Sequence, residues 1–144
     1  MIYYENKYIS RDIDKAIHYF TLASNDNMPA AQHLLSTIYL KGKYIKRDIN
    51  KAIHYYLLAA KNNNKLAQFV LGSFYYTGKY INSNINKSIY YYSLAANQNC
   101  PETQYNLVII YSESKCMAQD INKSIYYFSL AANNNYTNAQ FKLG

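Results

Sequence analysis

The chain has 144 residues, half of them apolar, so burial is not limiting, and its aromatic residues are 19 Tyr and five Phe. No apolar run approaches the roughly 20 residues of a membrane-spanning helix, and the opening Met-Ile-Tyr-Tyr-Glu-Asn-Lys lacks the apolar core of a secretory leader. The net charge of +7 is uneven: residues 37–72 carry seven basic and one acidic side chain, whereas 1–36 come to −1 and the two later windows to +1 each.

The elements recur every 36 residues. Ile13, Ile49, Ile85 and Ile121 are evenly spaced, and so are Lys15, Lys51, Lys87 and Lys123, and Tyr3, Tyr39, Tyr75 and Tyr111. A fixed period in this range marks a stacked repeat array, in which each unit packs on its neighbours rather than around one closed core. In chain order, 1–28 is a partial unit in which residues 1–4 match the tail of a first helix and Asp12 caps a second. Full units follow at 29–64, 65–100 and 101–136, and 137–144 stops inside a first helix. Neither end reads as the polar cap a solenoid needs, so the chain is expected to be a piece of a longer array.

The unit 65–100 shows the logic. Ala67, Val70, Leu71, Phe74 and Tyr75 follow the i, i+3, i+4, i+7, i+8 spacing of an amphipathic helix over 65–76. Gly78 ends it in the left-handed conformation. Asn84 caps a second helix over 85–97, as Asp12, Asp48 and Asp120 do elsewhere. Small residues at 88, 95 and 96 admit a close neighbouring helix. Asn-rich ends (Asn25-Asp26-Asn27, Asn62-Asn63-Asn64, Asn97-Gln98-Asn99, Asn133-Asn134-Asn135) suit left-handed caps. Pro29 and Pro101 open first helices, where a missing N–H costs little.

These residues carry a resemblance. Ala67, Leu71, Gly72, Tyr75 and Gly78, followed by the pattern of Asp48, Lys51 and Ala52 and then Tyr55, Tyr56, Ala59 and Ala60, resemble the Sel1-like repeat, a relative of the tetratricopeptide repeat. The likeness covers essentially the whole chain. Ser36 and Val108 replace the helix-crossing glycine in two units, Asn6 and Ser114 replace the loop glycine, and Val108 is expected to push its two helices apart. The resemblance implies an all-α fold, an α/α superhelix in the form of a right-handed solenoid, with first helices lining the concave side. It also implies a non-enzymatic adaptor or scaffold that binds a peptide or protein domain.

In the first helix, positions 31, 34, 35, 38 and 39 are expected to face the core, so 33, 37 and 40 point away. The candidate partner-binding ladder is therefore His33, Phe69, Tyr105 and Phe141, with Thr37, Ser73 and Ile109 beside it and Leu40, Tyr76 and Ser112 as a third row. Aligned aromatics suit a peptide or helix. Gln32, Gln68, Gln104 and Gln140 are expected to hydrogen-bond within the array, Lys15, Lys51, Lys87 and Lys123 to lie on a solvated face, and Leu22, Leu58, Leu94 and Leu130 to pack on the next unit.

Two other readings stand beside the scaffold. One is the regulatory arm of a larger signalling enzyme, such as a protein kinase, encoded outside this chain. The other is nucleic-acid binding through the basic patch at 41–51, which wants cations spread further than one repeat. No catalytic or metal residue and no cofactor is expected: His18 and His54 share a repeat position with Tyr90 and Tyr126, and no Cys-x-x-Cys, His-Glu-x-x-His or phosphate-binding glycine loop occurs. Cys100 and Cys116 flank a helix of about 18 Å, beyond disulfide reach. They are expected to be free thiols, which favours a reducing, cytoplasmic setting.

Overall fold

The computed structural model describes residues 2–113, with Lys123 and Tyr126 beyond them, and side chains from Asp12 onward. The described residues form α1 (Ile2–Asn25), α2 (Pro29–Lys41), α3 (Ile49–Lys61), α4 (Lys65–Thr77), α5 (Ile85–Ala96) and α6 (Pro101–Glu113), with no strand among them. Two compact units divide the chain, Met1–Ala67 and Gln68–Gly144.

In unit 1, α2 packs against both α1 and α3. Asp48 caps α3 by accepting the Lys51 N–H at 3.0 Å. Gly42, at φ 61°, closes α2 by donating its N–H to the Ile38 carbonyl at 3.2 Å. A Cβ there would lie 2.6 Å from the Arg47 Cβ, so glycine also lets the connector fold back on the helix end. Asn27 and Asn63 sit at φ 60° and 70°. The next N–H in each case, of Met28 and Asn64, reaches back five residues to Ala23 and Ala59, the six-to-one closure of a Schellman motif. Asn64 then caps α4, accepting the Ala67 N–H at 2.9 Å. Met28 makes no such side-chain bond, and Pro29 at the start of α2 removes a donor instead.

The break expected before Asp12 is absent. α1 runs as one 24-residue helix, and Asp12 lies inside it rather than at a cap. The stop glycine of the other units is Asn6 here, and nothing from residue 5 to 11 is Gly or Pro, so no residue interrupts the hydrogen-bond ladder.

Unit 2 repeats the same devices. Asn84 accepts the Lys87 N–H at 3.0 Å, and Gly78, at φ 73°, donates to the Phe74 carbonyl at 2.9 Å. Gly72 is required by a close approach: a Cβ there would lie 2.4 Å from the Tyr92 ring. Ser88 exploits the same closeness, its hydroxyl donating to the Gly72 carbonyl at 2.7 Å. A core of Tyr92, Ala96, Leu107, Ile110 and Tyr111 forms where α5 meets α6, with Phe69 and Ile89 packed on it. The helix pairing with Val108, and the caps at Asp120 and Asn135, lie outside the described residues.

The core stripe of the first helices is wider than the expected one: in α4 the expected Ala67, Leu71, Phe74 and Tyr75 are buried, but so is the glutamine position, and in α2 Leu34 is left out. Leu34 is 44 % exposed, while Gln32, Gln68 and Gln104 are 0–1 % exposed. Both flanks of α2 are covered, one by α1 and one by α3, so positions 32 and 36 are buried as well as 31 and 35. The glutamines tolerate burial because their amides are partnered. Gln32 donates to the Ser24 carbonyl at 3.1 Å and accepts from Asn62 at 3.0 Å. One period later Gln98 donates to Gln68 at 2.8 Å, and Gln104 donates to the Ala96 carbonyl at 3.1 Å.

Candidate functional site: a tyrosine-floored cavity

Exposed apolar side chains lie on first and second helices alike, Leu34 and Tyr76 on the former and Leu57 and Tyr90 on the latter. In unit 2, first-helix side chains and two core residues together line a cavity of about 230 Å³: Ser73, Tyr76, Asn106 and Ile109 with Tyr92 and Ile110. Its floor is Tyr92, buried to 3 % exposure by the packing that Gly72 permits. The Tyr92 hydroxyl is pushed up in pKa, first by burial; hydrogen bonds from the Ser73 and Asn106 side chains oppose the shift. At the rim, the Tyr76 hydroxyl donates to Glu113 at 3.2 Å, and burial followed by the Glu113 charge raises its pKa. An apolar wall of Ile109 and Ile110 thus meets polar atoms that carry hydrogen bonds of their own. The volume lies below the range for drug-sized ligands and suits one side chain.

Of the expected partner-binding residues, Ser73, Tyr76 and Ile109 come together here. Phe69 is half-buried, its ring 6.0 Å from Tyr92 and tilted by 46°, so part of its surface serves the core. Tyr105 is half-buried. In unit 1, His33 occupies the place of Phe69 and meets Tyr56 edge-on at 6.0 Å, and burial lowers its pKa below 6.5. Thr37 lines a second cavity of about 240 Å³ with Ile38, Lys41, Lys43 and Tyr44. Leu40 is half-buried, Ser112 is exposed, and Phe141 lies outside the described residues.

Sequence reasoning missed Tyr92, Asn106 and Ile110 as cavity residues. A signal existed at Asn106, which is polar where the other units have Leu34 and Val70. The lysine ladder is also not merely solvated. The ammonium groups of Lys51, Lys87 and Lys123 lie 5.2, 5.3 and 5.7 Å over the rings of Tyr39, Tyr75 and Tyr111. Tyr39 and Tyr75 in turn stack on Tyr55 and Tyr91, with planes 7° and 2° apart. Leu22 is exposed rather than packed, while Leu58 and Leu94 are half-buried. Cys100 is a buried free thiol, and Cys116 lies outside the described residues. Among the described residues, no cluster of His, Cys, Asp or Glu is suited to a metal, and no helix is long and apolar enough to cross a membrane.

Paired helices recurring every 36 residues define an all-α repeat protein of the solenoid class. The chain belongs to the Sel1 repeat family, whose model matches residues 1–28, 29–64, 65–100 and 101–136. Among solved structures it is similar to a Sel1 repeat protein from Oxalobacter formigenes, at 25 % identity over 92 % of this chain and 97 % of that one, with a TM-score of 0.76. It is also similar to a protective antigen of uropathogenic Escherichia coli with the same repeat fold, at 26 % identity, a TM-score of 0.73 and 81 % coverage, although the chain spans only 25 % of that protein. The cysteine-rich protein B of Helicobacter pylori matches at 27 % identity over 62 % of this chain and 68 % of that one, with a TM-score of 0.60. No curated protein matches the chain. Proteins of this family generally mediate protein–protein interaction on a fold that is generally non-catalytic.

Proposed function

We propose that the chain is a non-enzymatic scaffold that holds a segment of another protein against the exposed faces of its first helices. The cavity of unit 2 takes one side chain of that segment. Ser73, Tyr76 and Ile109 form the anchor, with Phe69 and Tyr105 on the same helices; His33, Thr37 and Leu40 are the equivalent contacts in unit 1, and Phe141 holds the same repeat position in the sequence, outside the described residues. The observation that carries this reading is the pairing of an aliphatic wall, Ile109 and Ile110, with polar atoms held in place around Tyr92. Such a site receives a peptide side chain without having to reorganise, which keeps the ordering cost of binding low.

A displayed peptide library selected on the whole chain tests it. Enriched peptides are expected to lose about tenfold or more in affinity on Tyr76→Ala, with a further loss on Ile109→Ala, as hot-spot truncations do. Circular dichroism should report unchanged helix content, because Tyr76 is 42 % exposed. Peptides that bind the double variant as tightly as the parent would place the partner on another surface.

A further inference from the structure

Unit 1 offers a binding site of different chemistry, at the connector between α2 and α3. Its cavity of about 240 Å³ is lined by Thr37, Ile38, Lys41, Lys43 and Tyr44. Lys41 and Lys43 are exposed, and the Lys43 ammonium stands 5.0 Å over the Tyr44 ring. Lys46 and Arg47 follow in the same connector. The only acid between 37 and 72 is Asp48, and its carboxylate is committed to capping α3 through the Lys51 N–H. The Thr37 hydroxyl proton is likewise engaged, donated to the His33 carbonyl at 3.1 Å. The cavity therefore presents a positive rim and an apolar wall, with no carboxylate among the described residues that line it.

The same tetrapeptide, Gly-Lys-Tyr-Ile, occurs at 42–45 and 78–81. In unit 2, Tyr80 takes φ 70° and turns its ring edge-on against Phe74 at 5.2 Å. In unit 1 the equivalent of Phe74 is Ile38, and Tyr44 stays 50 % exposed beside the lysines. Lys41 itself has Thr77 as its counterpart. Unit 1 thus combines an open ring with a second cation that unit 2 lacks.

We propose that this connector cavity binds an acidic segment of a partner protein, seating a glutamate side chain. The carboxylate meets the ammonium groups of Lys41 and Lys43 in charge-assisted hydrogen bonds, and the methylenes lie on Ile38 and the Tyr44 ring. Charge complementarity selects the occupant, since this 36-residue window carries seven cations against one capped acid. A protein segment fits better than a nucleic acid: the cations are confined to one unit and the cavity has the size of one side chain, whereas a phosphate backbone is held by cations spread along it. The inference rests on the scaffold reading and adds the partner's charge. It is tested on other residues and other peptides, so either can fail alone.

The test is fluorescence anisotropy on the whole chain with three labelled probes: a short polyglutamate peptide, its polyglutamine counterpart and single-stranded RNA of equal length. Polyglutamate is expected to bind and polyglutamine not. Affinity should fall steeply from 0.1 M to 1 M salt, as the Debye length shrinks from about 10 Å to about 3 Å. K41E/K43E should weaken polyglutamate by about tenfold or more, while K61E/K65E, the same charge change away from the cavity, should cost less than about threefold. Equal losses in the two double variants, or none in K41E/K43E, would overturn the proposal. RNA binding tighter than polyglutamate and lost in K41E/K43E would overturn it too, assigning the patch to nucleic acid.

Discussion

Position by position, the first helices of units 1 and 2 differ both on their exposed faces and in the core. His33, Ser36, Thr37, Ile38, Leu40 and Lys41 of α2 stand where α4 has Phe69, Gly72, Ser73, Phe74, Tyr76 and Thr77. Beneath these faces the two units share their machinery: an Asx cap, a left-handed glycine stop, a lysine over a tyrosine stack and a buried glutamine. Residues that close the backbone are repeated, and several residues on the exposed helix faces are not. Surface chemistry is thus varied on a constant frame: around its cavity unit 1 presents cations, and unit 2 presents hydroxyls, an amide and a carboxylate.

Substitutions that separate frame from face sharpen this contrast. The largest expected effect is at Gly72, where only unit 2 has the glycine. Gly72→Ala drives a methyl into the Tyr92 ring and should cost about 1–3 kcal/mol in urea denaturation, whereas Ser36→Ala in unit 1, where a Cβ is already accommodated, should stay well below that. Equal costs at the two sites would show that the close approach at Gly72 is not what sets the unit apart. Next come the glutamines, a device common to the frame. Gln32→Leu and Gln68→Leu each remove the acceptor of a half-buried amide, Asn62 and Gln98, and should cost about 1 kcal/mol apiece; a stabilised variant at either position would show that these hydrogen bonds do not hold the frame.

Smaller still is the lysine–tyrosine contact. Lys51→Met and Lys87→Met should each lower stability by about 0.5–1 kcal/mol and by similar amounts, and a loss in one unit alone would break the symmetry claimed for the frame. The smallest effect concerns His33. Burial holds its imidazole below the usual 6.5, so the unfolded chain takes up the proton first. Its contribution is intact above that value and falls as the pH drops below it. His33→Phe, which copies Phe69, should flatten the acid side of the melting-temperature profile between about pH 7 and pH 5 relative to the parent. An unchanged slope would mean that His33 titrates as if solvated.

The helices and their ends were legible in the sequence because they depend on local chemistry. The expected spans 65–76 and 85–97 became Lys65–Thr77 and Ile85–Ala96. Asp48 and Asn84 cap as their side chains dictate, and Asn27, Asn63 and Asn99 take positive φ. The continuous α1 was less visible: a repeat pattern suggests a connector even where, as at Asn6, its stop residue is missing. The widening of the core stripe to take in Gln32, Gln68 and Gln104, with Leu34 left out in α2, depends on burial by neighbouring helices on both sides, which one helix's periodicity does not encode. The expected site residues Ser73, Tyr76 and Ile109 could be read from one helix each. The Tyr92 floor could not, because it arises from the contact between α4 and α5 that Gly72 allows.

The most direct test of a scaffold anchored in unit 2 is methyl NMR on the isoleucines of the whole chain, titrated with a library-selected peptide. The account predicts shift changes at the Ile109 and Ile110 methyls, with intermolecular contacts to one side chain of the peptide, and unmoved methyls at Ile53. Saturable binding that leaves Ile109 and Ile110 unperturbed would contradict it.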